Sequence, residues 1–219
     1  MSKKILITGA TGMIGGLILE SALKDNLITE VVSIVRKKSG VSHQKLKEVI
    51  ISNFLDYSNI GDSLIDIDAV YYCLGVYTGK APRDEFRKIT VDFPAALATK
   101  LIKYSPQVNF CLLSGQGADR SEKSALMFAK DKGAIENLLS RLGFGAFYTF
   151  RPAYIYPVTP RNEPNFTYRL FRMFYPIVRL LGNNFSIRST ELAKAMYKVG
   201  LEGAHKEVLE NRDIVRMSE

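Results

Sequence analysis

Short runs of apolar, largely β-branched residues alternate along the chain with longer segments of helical periodicity. Strands that are apolar throughout are typical of a parallel sheet that helices cover on both faces. The pattern predicts strands over residues 4–8, 31–35, 47–51, 69–74, 108–113 and 146–150. It predicts helices from residue 14 to 22 and over 82–104, 124–142 and 191–201.

This order of elements predicts an α/β protein with a Rossmann-type, doubly wound parallel sheet. We expect one domain over residues 1–219, in which residues 153–219 contribute a small C-terminal lid region. The helix over 82–104 is expected to kink or restart at Pro94. Because ligands of such sheets lie at the carboxyl ends of the strands, the residues that directly follow each strand are the candidate site residues.

Composition changes this interpretation little. The 219 residues are 47% hydrophobic and 24% charged, and no apolar run approaches the roughly 20 residues of a membrane span. The net charge is +8, but the basic residues are scattered, so we expect neither nucleic acid nor a membrane as partner and a cytoplasmic location. Cys73 and Cys111 lie in apolar runs and are interpreted as reduced core residues. The expected oligomeric state is monomer or homodimer.

A glycine-rich string with the spacing GxxGxxG joins the first strand to the first helix. Gly9 permits a tight turn, Gly12 lets the backbone approach a pyrophosphate, and Gly15 lets the helix pack closely on the strand. The free N–H groups at the helix start then face the phosphates with the positive end of the helix dipole. Strand, string and helix occur in the required order, so the sequence predicts a dinucleotide site. Its expected members are Gly9, Thr11, Gly12, Met13, Ile14 and Gly15.

The end of the second strand indicates which dinucleotide binds. An acidic residue at this point holds the ribose hydroxyls of NAD, whereas an arginine accommodates the 2′-phosphate of NADP. Here Arg36 and Lys37 follow the strand, and no acid does. The sequence therefore predicts NADP(H), with NAD(H) the weaker candidate. The alternative is that both residues are ordinary solvated loop cations.

Two further segments follow predicted strands. Asp56 is placed to accept a hydrogen bond from the adenine amino group, or equally to cap the helix that comes after it. Leu74 and Gly75 end the fourth strand, where a small residue lets the adenosine half of a cofactor lie against the sheet. Each of these residues could also serve an ordinary structural role.

A family resemblance joins these segments. The string at 9–15, Asp56, Leu74-Gly75 and the segments at 113–119, 132–136, 151–156 and 209–214 resemble the extended or atypical short-chain dehydrogenase/reductases. Within that superfamily the chain is most similar to the Tat-interacting-protein-like oxidoreductases, over nearly its whole length. The resemblance implies that Pro152 and Tyr154 also contact the cofactor.

The resemblance further implies a Ser-Tyr-Lys catalytic group. In that chemistry the tyrosine transfers the substrate proton, the lysine lowers the tyrosine pKa and binds the nicotinamide ribose, and the serine polarises the carbonyl. Ser114 matches the serine and Lys132 the lysine. The residue four before the lysine, where the family has tyrosine, is Phe128, which has no proton to transfer.

Three accounts of this substitution are open. Tyr154 or Tyr156 donates the proton instead, or Lys132 or water does so inefficiently. Alternatively, hydride chemistry has been lost and cofactor binding retained. Two functions follow: an NADP-dependent oxidoreductase on a small carbonyl or hydroxyl compound, and a catalytically silent NADP(H)-binding sensor that acts through a protein partner.

The segment 161–181 is rich in aromatic and arginine residues, and four interpretations of it are open. It is an amphipathic element packed on the core, a surface that binds a protein partner, a helix that lies on a membrane surface, or a pocket wall that binds an acidic substrate.

Overall fold

The computed structural model describes residues 2–77, 79, 81–159 and 184–219. The strands found there are β1 (Lys3–Thr8), β2 (Ile28–Val35), β3 (Leu46–Ile50), β4 (Ala69–Tyr72), β5 (Asn109–Leu113), β6 (Ala146–Arg151), β7 (Tyr154–Tyr156), β8 (Ser186–Arg188) and β9 (Val208–Glu210). The α-helices are α1 (Met13–Lys24), α2 (Arg83–Arg87), α3 (Phe93–Leu101), α4 (Met127–Ser140), α5 (Ser189–Glu202) and α6 (Asn211–Ser218), with a 3₁₀-helix over Ser58–Leu64 and a π-helix over Lys88–Asp92.

A parallel sheet in the order β3-β2-β1-β4-β5-β6-β9 forms the centre of the fold. The chain runs outward from β1 to β3 and then returns to β4 on the other side of β1. This reversal places a crevice at the carboxyl ends of β1 and β4, where ligands of such sheets bind. The predicted Rossmann-type, doubly wound α/β fold is confirmed.

Both faces of the sheet are covered, which explains why its strands are apolar throughout. On β1 the side chains alternate: Ile5 and Ile7 pack in the core under α1 and α5, while Leu6 packs in the core under α3 and α4. All three side chains are fully buried. The strand therefore needs apolar residues at every position.

The long helix expected over 82–104 consists of α2, the π-helix and α3 in succession. Pro94 lies in the first turn of α3, where its missing N–H leaves no helical hydrogen bond unmade. A helix restart at this proline was expected, and the irregular π-helical turn directly precedes it. The π-helix matters for the site because Thr90 on it faces the cleft described below.

The helix expected from residue 124 begins at Met127 instead. The carboxylate of Asp119 accepts hydrogen bonds from the backbone N–H groups of Ser121, Lys123 and Ser124. These bonds hold residues 119–124 in a loop, because an acidic side chain offers the backbone an alternative to helical hydrogen bonds.

The C-terminal residues contribute more strands than the sequence pattern predicts. β7 and β8 pair in a separate parallel ribbon, and β9 extends the main sheet beyond β6. Each has three residues, too few to show a period. The helix expected over 191–201 is present as α5 and packs on α1 and the sheet. Residues 161–181 lie outside the described residues, and the lid role of 153–219 stays a prediction.

No helix in the described part of the chain combines the length and apolar character needed to cross a bilayer. Cys111 is fully buried and Cys73 packs against the same core. Burial raises the pKa of the Cys73 thiol to about 12. Both side chains therefore behave as small apolar core residues.

Candidate functional site

The glycine-rich turn after β1 requires its glycines for reasons of space. Gly9 has φ +74, and a Cβ there would lie 2.8 Å from the carbonyl carbon of Cys73. A Cβ on Gly15 would collide with the carbonyl oxygen of Gly9. The turn, the end of β4 and the start of α1 are therefore packed backbone against backbone, as a cradle for a pyrophosphate requires.

The N-terminus of α1 is open to an anion. Gly12 is its N-cap residue and supplies no side chain to cap it, and the first turn contains no acidic residue. The N–H of Gly12 donates to the Gly9 carbonyl at 2.9 Å. The N–H groups of Met13 and Ile14 belong to the helical positions that have no intrahelical acceptor. This geometry fits a phosphate group.

Arg36 and Lys37 directly follow β2 and are exposed. Within the described residues neither forms an ion pair, so both charges are free for a ligand. Asp56 is exposed as well, and its Oδ1 accepts the backbone N–H of Ser58 at 2.9 Å. Hydrogen bonds from the side chain and backbone of Ser58 lower the Asp56 pKa. This bond forms a local turn just before the 3₁₀-helix, whose N-cap residue is Tyr57 and which has no side-chain cap. The contact of Asp56 with adenine stays a prediction.

A cleft at the carboxyl ends of β4 and β5 brings together four of the predicted residues: Leu74, Gly75, Ser114 and Lys132. A Cβ added to Gly75 would meet no atom within 4 Å, so open space adjoins this backbone. Val76 and Thr90 also line the cleft. They were not singled out from the sequence, because their contribution depends on the path of the loop after β4 and on the π-helix.

Lys132 lies in this cleft with its stem across the loop after β5. Its Cε is 3.4 Å from the position that a Cβ on Gly115 would occupy. Burial lowers the pKa of the Lys132 ammonium to about 8, although the Glu136 carboxylate acts to raise it. The next residue, Gly133, permits this placement, because a Cβ there would collide with the carbonyl oxygen of Asp119.

Phe128 lies on α4 one turn before Lys132, as the spacing predicted. Its ring is half-buried beside Gly117, with Cζ 3.8 Å from the position of a Cβ on that glycine. Gly117 has φ +84, which favours glycine at this point of the loop. The ring therefore packs on the loop after β5, and Phe128 is not among the described residues that line the cleft.

A buried carboxylate lies directly behind Ser114. Glu136 is fully buried and accepts the Ser114 hydroxyl at 2.6 Å and the Thr149 hydroxyl at 3.0 Å. Arg151 and Arg120 donate to it as well, at 2.5–3.1 Å and 2.9 Å. Burial acts to raise the Glu136 pKa, but the hydrogen bonds from Arg151, Ser114 and Arg120 outweigh it and hold the pKa below its ordinary value.

Glu136 and Arg151 lie within the segments that resemble the family, but the sequence predicts no role for either residue. A signal was present: Glu136 lies between Ile135 and Leu139 on the buried side of α4, where a lone carboxylate requires partners. The identity of those partners could not be predicted, because Thr149 and Arg151 lie on β6, Ser114 follows β5, and neither segment is part of α4.

A second buried carboxylate anchors α2. Asp131 is fully buried, and Arg83 donates to both of its oxygens, at 2.5 and 2.9 Å. Arg87 adds a third hydrogen bond at 3.0 Å. Because α2 continues into the π-helix, this ion cluster fixes Thr90 against α4 at the cleft.

The tyrosines considered as substitute proton donors lie on β7. Neither Tyr154 nor Tyr156 is among the described residues that line the cleft. Pro152, between β6 and β7, accepts the backbone N–H of Gln116 at 2.9 Å and so holds the loop after β5 in place. Contacts of Pro152 and Tyr154 with the cofactor stay predictions.

Comparison with known proteins agrees with this geometry. A family model described as NAD(P)H-binding matches residues 9–146. Protein HTATIP2 of Rattus norvegicus is 26% identical over 221 residues, covering 99% of this chain and 89% of that protein. The predicted resemblance to Tat-interacting-protein-like members of the short-chain dehydrogenase/reductases is confirmed.

Solved structures show the same fold. A short chain dehydrogenase family protein from Francisella tularensis superposes with a TM-score of 0.67 at 14% identity, covering 93% of each chain. The Bordetella bronchiseptica enzyme WbmH, solved in complex with NAD+, superposes with a TM-score of 0.69 at 19% identity, covering 95% of this chain and 74% of that one.

Proposed function

This chain belongs to the NAD(P)H-binding family, and from that premise we propose that it binds NADP(H) and interconverts a small hydroxyl compound and its carbonyl counterpart. The proposal rests on the observation that two features lie at the same edge of the sheet. One is the glycine cradle at the start of α1, and the other is the cleft that holds Ser114 and Lys132. A cofactor that lies across the crevice between β1 and β4 reaches both.

The residues of this chain would divide the work as follows. The N–H groups of Met13 and Ile14 bind the pyrophosphate, while the N–H of Gly12 stays on the Gly9 carbonyl and holds the turn in shape. Gly75 leaves room for the cofactor beside the end of β4, and Lys132 binds the nicotinamide ribose. When bound, the nicotinamide supplies or accepts the hydride. The proton passes through Lys132 or water, because the ring of Phe128 has none to give.

The preference for NADP(H) rests on Arg36 and Lys37. Both are exposed directly after β2, and in the described part of the chain neither is neutralised by a carboxylate. A guanidinium binds a phosphate by paired, charge-assisted hydrogen bonds. NAD(H) has no phosphate at this position, so the same cation adds little to its binding.

We expect Arg36→Ala to weaken NADPH binding by about 10- to 100-fold, because charge-assisted hydrogen bonds contribute roughly 1.5–3 kcal/mol. NADH binding should change little. Calorimetric titration of wild type and variant with each cofactor measures both affinities, and Lys47→Ala is a matched control because Lys47 is an exposed cation on β3. Equal or tighter binding of NADH by the wild type would contradict the NADP(H) preference, and failure of both cofactors to bind would contradict the function itself.

Binding should also depend on pH through Lys132. The pKa of its ammonium is about 8, so the group is charged below that pH and loses its charge above it. We expect NADPH affinity to fall between pH 7 and 9.5, by at most tenfold per pH unit for one proton. In Lys132→Met the decline should be absent and the affinity already low at pH 7. An identical decline in that variant would assign the effect to another group.

A second function is favoured by Phe128. Loss of a general acid typically lowers a rate by about 10²–10⁴-fold, while the fold and the cofactor cradle remain. The alternative is therefore a catalytically silent NADP(H)-binding protein whose bound form is recognised by a protein partner. Steady NADPH consumption with any carbonyl compound would exclude it.

A further inference from the structure

The hydrogen bond between Ser114 and Glu136 determines which way the serine hydroxyl points. The carboxylate accepts five hydrogen bonds, from Ser114, Thr149, Arg120 and twice from Arg151. With the guanidinium groups of Arg120 and Arg151 against it, the carboxylate is ionised at neutral pH. An ionised carboxylate only accepts hydrogen bonds. The Ser114 hydroxyl, 2.6 Å away, must therefore be the donor.

The hydroxyl cannot turn away from Glu136 without cost. If its proton pointed into the cleft, an oxygen lone pair would face a carboxylate oxygen at 2.6 Å. Ser114 is also held by its backbone, because its N–H donates to the Phe150 carbonyl at 2.8 Å. Toward a ligand in the cleft that Ser114 lines, its hydroxyl oxygen can therefore only accept a hydrogen bond.

Lys132 presents the opposite polarity from the same cleft. An ammonium has three donors and no acceptor, and in the described residues Lys132 makes no hydrogen bond. A ligand group between Ser114 and Lys132 must donate to the first and accept from the second. An alcohol hydroxyl does both. A carbonyl oxygen can only accept hydrogen bonds. Next to the Ser114 oxygen it would bring two acceptor lone pairs together, which repel each other.

We infer that Glu136 is a positioning residue that makes the cleft selective for a hydroxyl-bearing ligand over the corresponding carbonyl compound. The inference rests on the proposed function and deepens it, because it assigns the ligand class that the resting site recognises. It also assigns Ser114 a role as hydrogen-bond acceptor. A serine that polarises a carbonyl would have to donate.

The apolar part of the cleft is consistent with a small carbon skeleton. Leu74, Val76, Leu113 and Ile135 line it beside the two polar groups. A matched pair of probes is therefore cyclohexanol and cyclohexanone, which share a ring and differ in the hydrogen-bonding character of one oxygen. Their affinities can be measured by ligand-observed NMR, with and without NADP+.

We expect the wild type to bind cyclohexanol about tenfold more tightly than cyclohexanone, since each well-made hydrogen bond changes affinity by roughly this factor or less. Ser114→Ala should remove the preference by weakening cyclohexanol alone, and Ser114→Thr should retain it. Thr149→Val is the control, because Thr149 donates to the same Glu136 oxygen and is fully buried. It should leave the preference intact.

Three results would overturn the inference: equal affinity for the two probes, no binding of cyclohexanol, or a preference that persists in Ser114→Ala. The measurement without NADP+ separates this inference from the proposed function. Absence of NADP+ binding contradicts the proposed function, while an alcohol preference that Ser114→Ala abolishes still supports the polarity of the cleft.

Discussion

Replacing Phe128 with tyrosine is expected to raise the rate of NADP(H)-dependent alcohol–carbonyl interconversion by about 10²–10⁴-fold, the usual contribution of a positioned general acid or base. The ring already lies on α4 one turn before Lys132, against the loop after β5. Its Cζ, the atom that would carry the hydroxyl, lies beside Gly117, 3.8 Å from the position of a Cβ on that glycine. The nearby ammonium would lower the pKa of the new phenol.

The measurement is NADPH consumption with a panel of small aldehydes and ketones, at equal protein concentration for each variant. Phe128→Leu is the matched control, because it changes the ring without adding a hydroxyl, and it should show no gain. Adding Lys132→Met to Phe128→Tyr should remove most of the gain. If Phe128→Tyr and the wild type turn over at the same rate, the missing tyrosine does not limit the reaction.

Replacing Glu136 with glutamine is expected to lower the free energy of unfolding by about 3–5 kcal/mol, the usual effect of breaking a buried ion pair. Glutamine keeps the shape of the side chain but removes its charge. Arg151, only 13% exposed, would then retain Glu210 alone as a charged partner. Urea unfolding followed by circular dichroism measures the change.

The control for this variant is Glu20→Gln, which breaks the exposed pair between Glu20 and Lys24 on α1. Solvent screens that pair, so the unfolding midpoint should not move. An equally small change in Glu136→Gln would show that the buried cluster does not stabilise the fold.

The pH dependence of stability gives a second readout for Glu136. Its pKa in the folded protein is below the ordinary value, so its contribution is complete above the pKa of an unfolded glutamate, about 4.3. The contribution is lost as pH falls through the folded pKa. The difference in unfolding free energy between wild type and Glu136→Gln should therefore shrink as the solution is acidified below pH 4.

The position of Phe128 connects the two proposed functions. If the cleft binds the cofactor as proposed, with Ser114 and Lys132 at the serine and lysine positions, the chain is one substitution away from the catalytic group that the family resemblance implies. The cleft geometry adds a second departure, because the Ser114 proton is directed to Glu136 instead of the ligand. Both differences from the implied catalytic group affect which protons are available to a ligand. Neither changes the glycine cradle around Gly9 and Gly15.

The sequence by itself determined the sheet, the glycine cradle and the order of the main elements. Strands such as β1 are apolar at every position because both faces of the sheet are covered, and this pattern can be recognised without coordinates. The cradle could be predicted because Gly12 and Gly15 act within one strand–turn–helix unit, whereas the close approach of Gly9 to Cys73 at the end of the neighbouring strand is a tertiary contact. Phe128 could be placed relative to Lys132 because four residues make one helical turn.

Only the tertiary structure decided what surrounds Ser114. Its partner Glu136 is 22 positions away on α4, and the groups that keep Glu136 ionised come from β6 and the loop after β5. Contacts between distant segments leave no periodic signal, so the direction of the Ser114 proton could not be predicted. The strand β9 was not predicted from the sequence for a related reason. Three residues show no pattern of their own, and they become a strand because β6 offers them an edge.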